Sequence, residues 1–273
     1  LYSPRRFKRR VGNIGRKLPD PFASLSREGI HFRRGAVSMI AGTPGSFKSV
    51  LALNMVVKWA DQGIKVLYFS ADADEFTVVR RFAGILTNDD AQRVEARMTR
   101  HDTGDYEDQF SRHLSGVEFE YEGFDEFSIV VQRVKAFEAV YGEFPDVLVI
   151  DNLIDFVSSP MAWDEMQILI KALDALSKEI KCHILILHHA KLPDQNPNAR
   201  NPRPLDQPPG DHEIQGKVTQ FPRLVLTMAA DSLHANLACV KNTNGPQYRN
   251  ASRTIPITIL PSMRVIEPYR AGR

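Results

Sequence analysis

The stretch Gly42-Thr43-Pro44-Gly45-Ser46-Phe47-Lys48-Ser49 constrains this chain more than any other. It follows the pattern Gly, four residues, Gly, Lys, then Ser or Thr, with Phe47 standing where the second glycine belongs. The apolar run Ala36-Val37-Ser38-Met39-Ile40-Ala41 before it reads as a buried strand. After it, Leu51, Leu53, Val56 and Val57 continue from Lys48 with the spacing of an amphipathic helix. Strand, glycine loop and helix N-terminus make an anion cradle, because unpaired backbone N–H groups and the helix dipole converge on one point. In that reading Gly42, Thr43, Pro44, Gly45, Ser46 and Phe47 wrap the phosphates of ATP. Lys48 brings charge to the β- and γ-phosphates, and the Ser49 hydroxyl joins the shell of a Mg²⁺ ion. The plainer reading is a Gly/Pro turn that happens to carry Lys-Ser. A non-glycine held left-handed at position 47 costs about 1–2 kcal/mol. Phe47 can still donate its N–H, so nucleotide binding is expected if the loop settles at negative φ and the ring turns away from the nucleotide.

At 273 residues the chain suits one large α/β domain or two small ones. No apolar run approaches a membrane span and no signal-peptide pattern is present, so a cytoplasmic location without membrane contact is expected. Cys182 and Cys239 are far apart beside apolar runs, as buried free thiols of a reducing compartment would be. A net charge of +2 leaves any nucleic-acid affinity to local patches. One such patch is Arg5, Arg6, Lys8, Arg9, Arg10, Arg16 and Lys17, which suits a grip on a nucleic-acid backbone or a solvated linker equally well. A start at Leu1 instead of a methionine is expected of a processed or excised part of something longer.

Beyond the first strand and helix, Lys65 to Ser70 reads as a second strand, and Glu75 to Leu86 and Ala91 to Arg100 as helices. Gly116 to Tyr121 is a short strand, followed by a helix whose face carries Phe127, Val130, Val134, Phe137 and Tyr141. Pro145 to Ile150 is a strand, Met166 to Ile180 a helix, and Ile184 to Leu187 another buried strand. Such alternation, with near-continuous apolar strands, predicts an α/β fold with a mostly parallel sheet covered on both faces. Leu224 to Met228, Leu237 to Lys241, Ile255 to Leu260 and Arg264 to Ile266 follow too closely for crossover helices. They are expected to add antiparallel strands to one edge. Leu192 to Asp211, rich in Pro and Asn, has no periodicity.

Ligands in open α/β sheets sit beyond the carboxyl ends of the strands. Val147-Leu148-Val149-Ile150-Asp151 delivers an aspartate there, suited to supporting Mg²⁺ opposite Ser49. Ser70-Ala71-Asp72-Ala73-Asp74-Glu75 offers Asp72 as the catalytic base for the attacking water, while Asp74 or Glu75 caps the next helix. In Leu187-His188-His189-Ala190-Lys191, neighbouring histidines face opposite ways, so one is expected against the nucleotide and the other turned away.

These residues resemble the RecA-like ATPase core of the DnaB replicative helicase and RadA recombination family, from about Phe22 to Leu260. On that resemblance residues 1–17 are a basic tail or linker and 18–273 one RecA-like ATPase domain. Phe69-Ser70-Ala71-Asp72-Ala73 is similar to the DnaB stretch Phe-Ser-Leu-Glu-Met, with Asp for the catalytic Glu. The His-His-Ala-Lys run is similar to Gly-His-Val-Thr-Lys of RadA, which makes His189 a γ-phosphate sensor. Lys241-Asn242-Thr243-Asn244-Gly245-Pro246 resembles Lys-Gln-Arg-Asn-Gly-Pro of DnaB, whose Lys and Arg reach a neighbouring subunit's γ-phosphate. Lys241 is kept, but Thr243 stands at the arginine finger. The family forms hexameric rings and acts on DNA through channel loops, here the stretch after Asp151 and the segment running to Gln215-Gly216-Lys217, with Arg200, Arg203 and Lys217 available to phosphates. The resemblance implies a Mg²⁺-dependent ATPase acting on single-stranded or branched DNA in replication or recombination. Loss of the finger and a shorter base imply slow turnover that needs DNA or a partner. Two other functions stay open: a metal-dependent nuclease built on Asp72, Asp74, Asp151 and Asp155, and a nucleotide-binding initiator or loader with little turnover.

Overall fold

The computed structural model describes residues 15–71, 73–121, 126–159, 161–193, 203–231 and 234–268. Nine strands form one sheet in the order β3-β2-β4-β5-β1-β6-β7-β8-β9. Their bounds are β1 Ala36–Gly42, β2 Val66–Ser70, β3 Val117–Glu120, β4 Val147–Asp151, β5 His183–His189, β6 Leu224–Asp231, β7 His234–Asn242, β8 Thr254–Ile259 and β9 Val265–Ile266. From β3 through β6 every pairing is parallel. From β6 through β9 every pairing is antiparallel, as the short spacings at the end of the chain predict.

The helices are α1 Ala23–Arg27, α2 Lys48–Ala60, α3 Glu75–Thr87, α4 Ala91–Thr99, α5 Gly104–His113, α6 Phe127–Tyr141 and α7 Trp163–Ile180. β1, β2 and β4 are buried along their whole length because helices cover both faces. One face packs Leu51, Val56 and Trp59 of α2 and Phe82 of α3 against Ile40, Tyr68 and Leu187. The other packs Val130, Val134 and Phe137 of α6 and Met166, Ile170 and Leu173 of α7 against Met39, Leu148 and Ile186. At the antiparallel edge one-sided burial returns, and β8 alternates exposed and buried residues. Cys182 and Cys239 are buried free thiols. Among the described residues no helix is long and apolar enough to cross a membrane.

Two local devices set the surroundings of the loop. Asp74 caps α3 by accepting the Thr77 N–H (2.7 Å), as an acid at a helix N-terminus should. Asn54, buried in α2, donates Nδ2–H to Val50 O (2.8 Å) and Met263 O (2.9 Å), and its Oδ1 accepts the Val265 N–H (2.9 Å). The helix that leaves the loop is thereby tied to the β8–β9 hairpin. α5 has no counterpart in the hydrophobic pattern, because Tyr106 is its one buried residue. Its place is set by charge. Arg97 of α4 lies over the Tyr106 ring (4.5 Å) and pairs with Asp105. Between β5 and β6 the described residues form only two short 3₁₀ turns, Asp211–Glu213 and Gln215–Gln220.

Candidate nucleotide-binding site

β1 ends at Gly42 and α2 begins at Lys48, so the loop lies at the carboxyl edge of the sheet with a helix N-terminus pointing into it. In the sheet Gly42 sits between His189 of β5 and Met228 of β6. A Cβ at Gly42 would lie 2.5 Å from Met228 O and 2.5 Å from Ser46 Oγ, so only glycine fits where the chain turns out of the sheet. Gly45 has φ of +77° with open space around it. The Ser46 hydroxyl is buried in the loop with no hydrogen-bond partner among the described residues. Lys48, 7% exposed, donates Nζ–H to Thr43 O (3.0 Å), which brings its ammonium back over the loop.

The opposite wall comes from β4. Asp151 is 3% exposed. Its Oδ1 accepts from Ser49 Oγ (3.2 Å) and its Oδ2 from the Tyr68 phenol (2.6 Å). Ser70 of β2 is in register with Asp151, and the Ala71 N–H donates to Asp151 O (2.8 Å). β5 supplies the histidines. His189 Nε2 accepts from Asn152 Nδ2 (2.9 Å), and the next residue, Ala190, donates its N–H to Gly42 O (3.0 Å). His188 turns to the other face, as expected of a neighbour on a strand. It is buried beside the 3₁₀ turn, and its Nε2–H donates to Gln215 O (3.1 Å). Burial pushes its imidazole down to about 4, so it is neutral near pH 7.

A family model described as an AAA domain matches residues 19–195, well over half of the chain. The chain belongs to the AAA domain family. It is 28% identical over 258 residues to the Gene 65 protein of Mycobacterium phage L5, covering 90% of each. It is 26% identical over 220 residues to the Gene 65 protein of Mycobacterium phage D29, covering 76% of this chain and 88% of that one. The fold matches a DnaB-like replicative helicase solved for its interactions with primase (TM-score 0.75, 14% identity, 94% of this chain). The chain spans 63% of that helicase's length. It also matches a solved ATPase domain (TM-score 0.74, 15% identity, 97% of this chain and 95% of that one). A KaiC-like protein of Pyrococcus horikoshii OT3 follows at TM-score 0.62, 14% identity, 93% of this chain and 100% of that one. This AAA domain therefore shares the fold of the RecA/DnaB-like cores that its loop and strand ends resemble.

In this AAA domain Phe47, Lys241, Thr243 and Arg203 each have surroundings that the sequence does not show. Phe47 adopts φ 62°, ψ 25°, so the loop does not settle at negative φ. Its half-buried ring packs against the core that α2 shares with β1, which offsets a left-handed cost of about 1–2 kcal/mol. Phe47→Gly relieves that cost and is expected to tighten nucleotide binding severalfold or speed turnover. Phe47→Val stays apolar but crowds the same φ with a branched Cβ, and is expected to bind about tenfold more weakly. Titration of a fluorescent nucleotide separates the two; Val outperforming Gly would show that packing, not backbone, governs the loop.

Lys241 is hydrogen-bonded within its own chain. Its Nζ donates to Thr219 O (2.7 Å) and Gln220 O (2.8 Å), and burial lowers its pKa against the opposing pull of Asp211. Its β6 partner is Val225, well before the Met228 that flanks Gly42, so it does not approach its own loop. Thr243 is likewise tied to Arg223 O through its N–H (2.9 Å) and hydroxyl (3.0 Å).

Arg203 is not open to phosphates. Its Nε–H pairs with Glu213 Oε1 (2.9 Å), and its side chain is 8% exposed. Asp72, Arg200 and the Lys217 side chain lie outside the described residues. Finally, among the described residues no three His, Cys, Asp or Glu side chains gather to hold a metal by themselves. Asp74 caps α3, and Asp72, another of the four acids named for a metal-dependent nuclease, lies outside the described residues.

Proposed function

We propose that this AAA domain binds ATP with Mg²⁺ at residues 42–49 and hydrolyses it slowly while acting on DNA in replication or recombination. One observation carries the reading most. Ser49 and Asp151, far apart in sequence, meet across the mouth of the loop (3.2 Å). The residues also fit the ligand: position 42 has no room for a side chain, and the Ser46 hydroxyl is a buried donor still to be satisfied.

Lys48 and the backbone N–H groups of the loop would hold and orient the β- and γ-phosphates, helped by the α2 dipole. Ser49 and Asp151 would hold Mg²⁺, which when bound neutralises charge on the phosphate oxygens. Asp72 would orient the attacking water and accept its proton, and His189, beside Gly42 in the sheet, would respond to the γ-phosphate. Lys241 would act only across a subunit boundary, in a ring or smaller homo-oligomer, after leaving the carbonyls of Thr219 and Gln220. With Thr243 in place of an arginine finger, turnover is expected to be slow.

Phosphate release measured with and without single-stranded or branched DNA tests the proposal. Slow hydrolysis accelerated by DNA is expected. Rates indifferent to DNA would remove its DNA half, and tight ATP binding without turnover would favour an initiator or loader.

A further inference from the structure

Tyr68 carries no signal in the sequence, being one of two adjacent aromatics in an apolar strand, yet it holds the carboxylate on which the proposed metal site turns. In register it lies opposite Val149, and its ring leans along the strand to reach Asp151. The phenol donates to Asp151 Oδ2 at 2.6 Å, the length of a charge-assisted O–H···O⁻ bond. On the other oxygen the Ser49 contact is longer, 3.2 Å. Tyr68 is 1% exposed, so its ring has little freedom to swing away. Phe119 of β3 packs against it (5.2 Å between ring centres) and is itself held edge-on by Phe82 (5.3 Å) and stacked on Tyr121 (5.9 Å).

A buried tyrosine needs a partner for its hydroxyl, and any backbone carbonyl would satisfy it. Here the partner is the same carboxylate that faces Ser49. We propose that Tyr68 is a positioning residue: by fixing Oδ2 it sets the plane of the Asp151 carboxylate and turns Oδ1 toward Ser49 and a divalent cation. The inference rests on the reading of Ser49 and Asp151 as the cation-supporting pair. Outer hydrogen bonds of this kind orient a ligand, and their loss typically lowers metal affinity about 10–100-fold.

Tyr68→Phe keeps the ring between its aromatic neighbours and removes only the hydroxyl. Mn²⁺ is titrated into protein saturated with ATPγS and followed by electron paramagnetic resonance, beside wild type and Asp151→Asn. Tyr68→Phe is expected to bind Mn²⁺ about tenfold more weakly, with unchanged ATPγS affinity in EDTA and a wild-type circular-dichroism melt. Wild-type Mn²⁺ affinity in Tyr68→Phe, with loss in Asp151→Asn, overturns the inference and leaves the metal site standing. Full Mn²⁺ affinity in Asp151→Asn overturns both. A fall in EDTA affinity equal to the fall with Mn²⁺ also overturns it, because Tyr68 would then be shaping the loop and not the carboxylate.

Discussion

Lys48→Ala is expected to weaken ATP binding about a hundredfold, the scale of a buried charge-assisted contact, and to leave the fold standing. Lys48 is 7% exposed and its ammonium folds back onto Thr43 O, so its position over the loop is set by the protein. Charge held in a site from which water is excluded acts strongly on phosphate oxygens. The substitution costs little elsewhere. Position 48 is the first residue of α2, where alanine is a good helix former, and burying an ammonium is itself unfavourable. Isothermal titration with ATP, together with a thermal melt, checks both halves. Hydrolysis or binding untouched by the change would sink the assignment of the loop.

Gly42→Ala is expected to be as damaging to nucleotide binding, and to cost stability as well. The added methyl meets two atoms at 2.5 Å, and they differ in kind. Ser46 Oγ belongs to a short side chain that can rotate. Met228 O belongs to the backbone of β6, which is paired with β1 at that level, so it retreats only if the two strands part. Overpacking against a fixed wall costs about 1–3 kcal/mol, and here the displaced segment is the one that turns into the loop. Gly45→Ala is the control. It has φ of +77° but nothing near its side-chain position, so it should lose about 1 kcal/mol from the left-handed backbone and no more. Urea denaturation of the two variants orders them; Gly45→Ala as destabilising as Gly42→Ala would contradict the role given to Met228 O.

The elements around the loop were legible because their signals are local. Seven-residue β1 and the helix after Lys48 follow from unbroken apolar runs and helical spacing, and Asp151 ends its strand visibly. The close-set strands after Leu224 announced the antiparallel edge. What the sequence hid depends on distant partners. Tyr68 looks like any core aromatic until β2 and β4 pair in register and bring Asp151 to its hydroxyl. By resemblance Lys241 reaches toward a neighbouring subunit, whereas in the fold the 3₁₀ turn 215–220 offers it two carbonyls. Arg203 reads as a loop cation until Glu213 meets it. α5 is anchored by Arg97 and Asp105, a charge pairing between neighbouring helices that hydrophobic periodicity does not report. The left-handed conformation of Phe47 is hidden for a related reason: its cost is local, but the packing that offsets it belongs to the tertiary core.

A crystal structure with Mg²⁺ and a non-hydrolysable ATP analogue tests the central claim most directly. The account places the triphosphate along the backbone of residues 42–49, with Lys48 on its β- and γ-phosphates and the cation between Ser49 and Asp151. A triphosphate bound elsewhere, or a cation that approaches neither Ser49 nor Asp151, would contradict it.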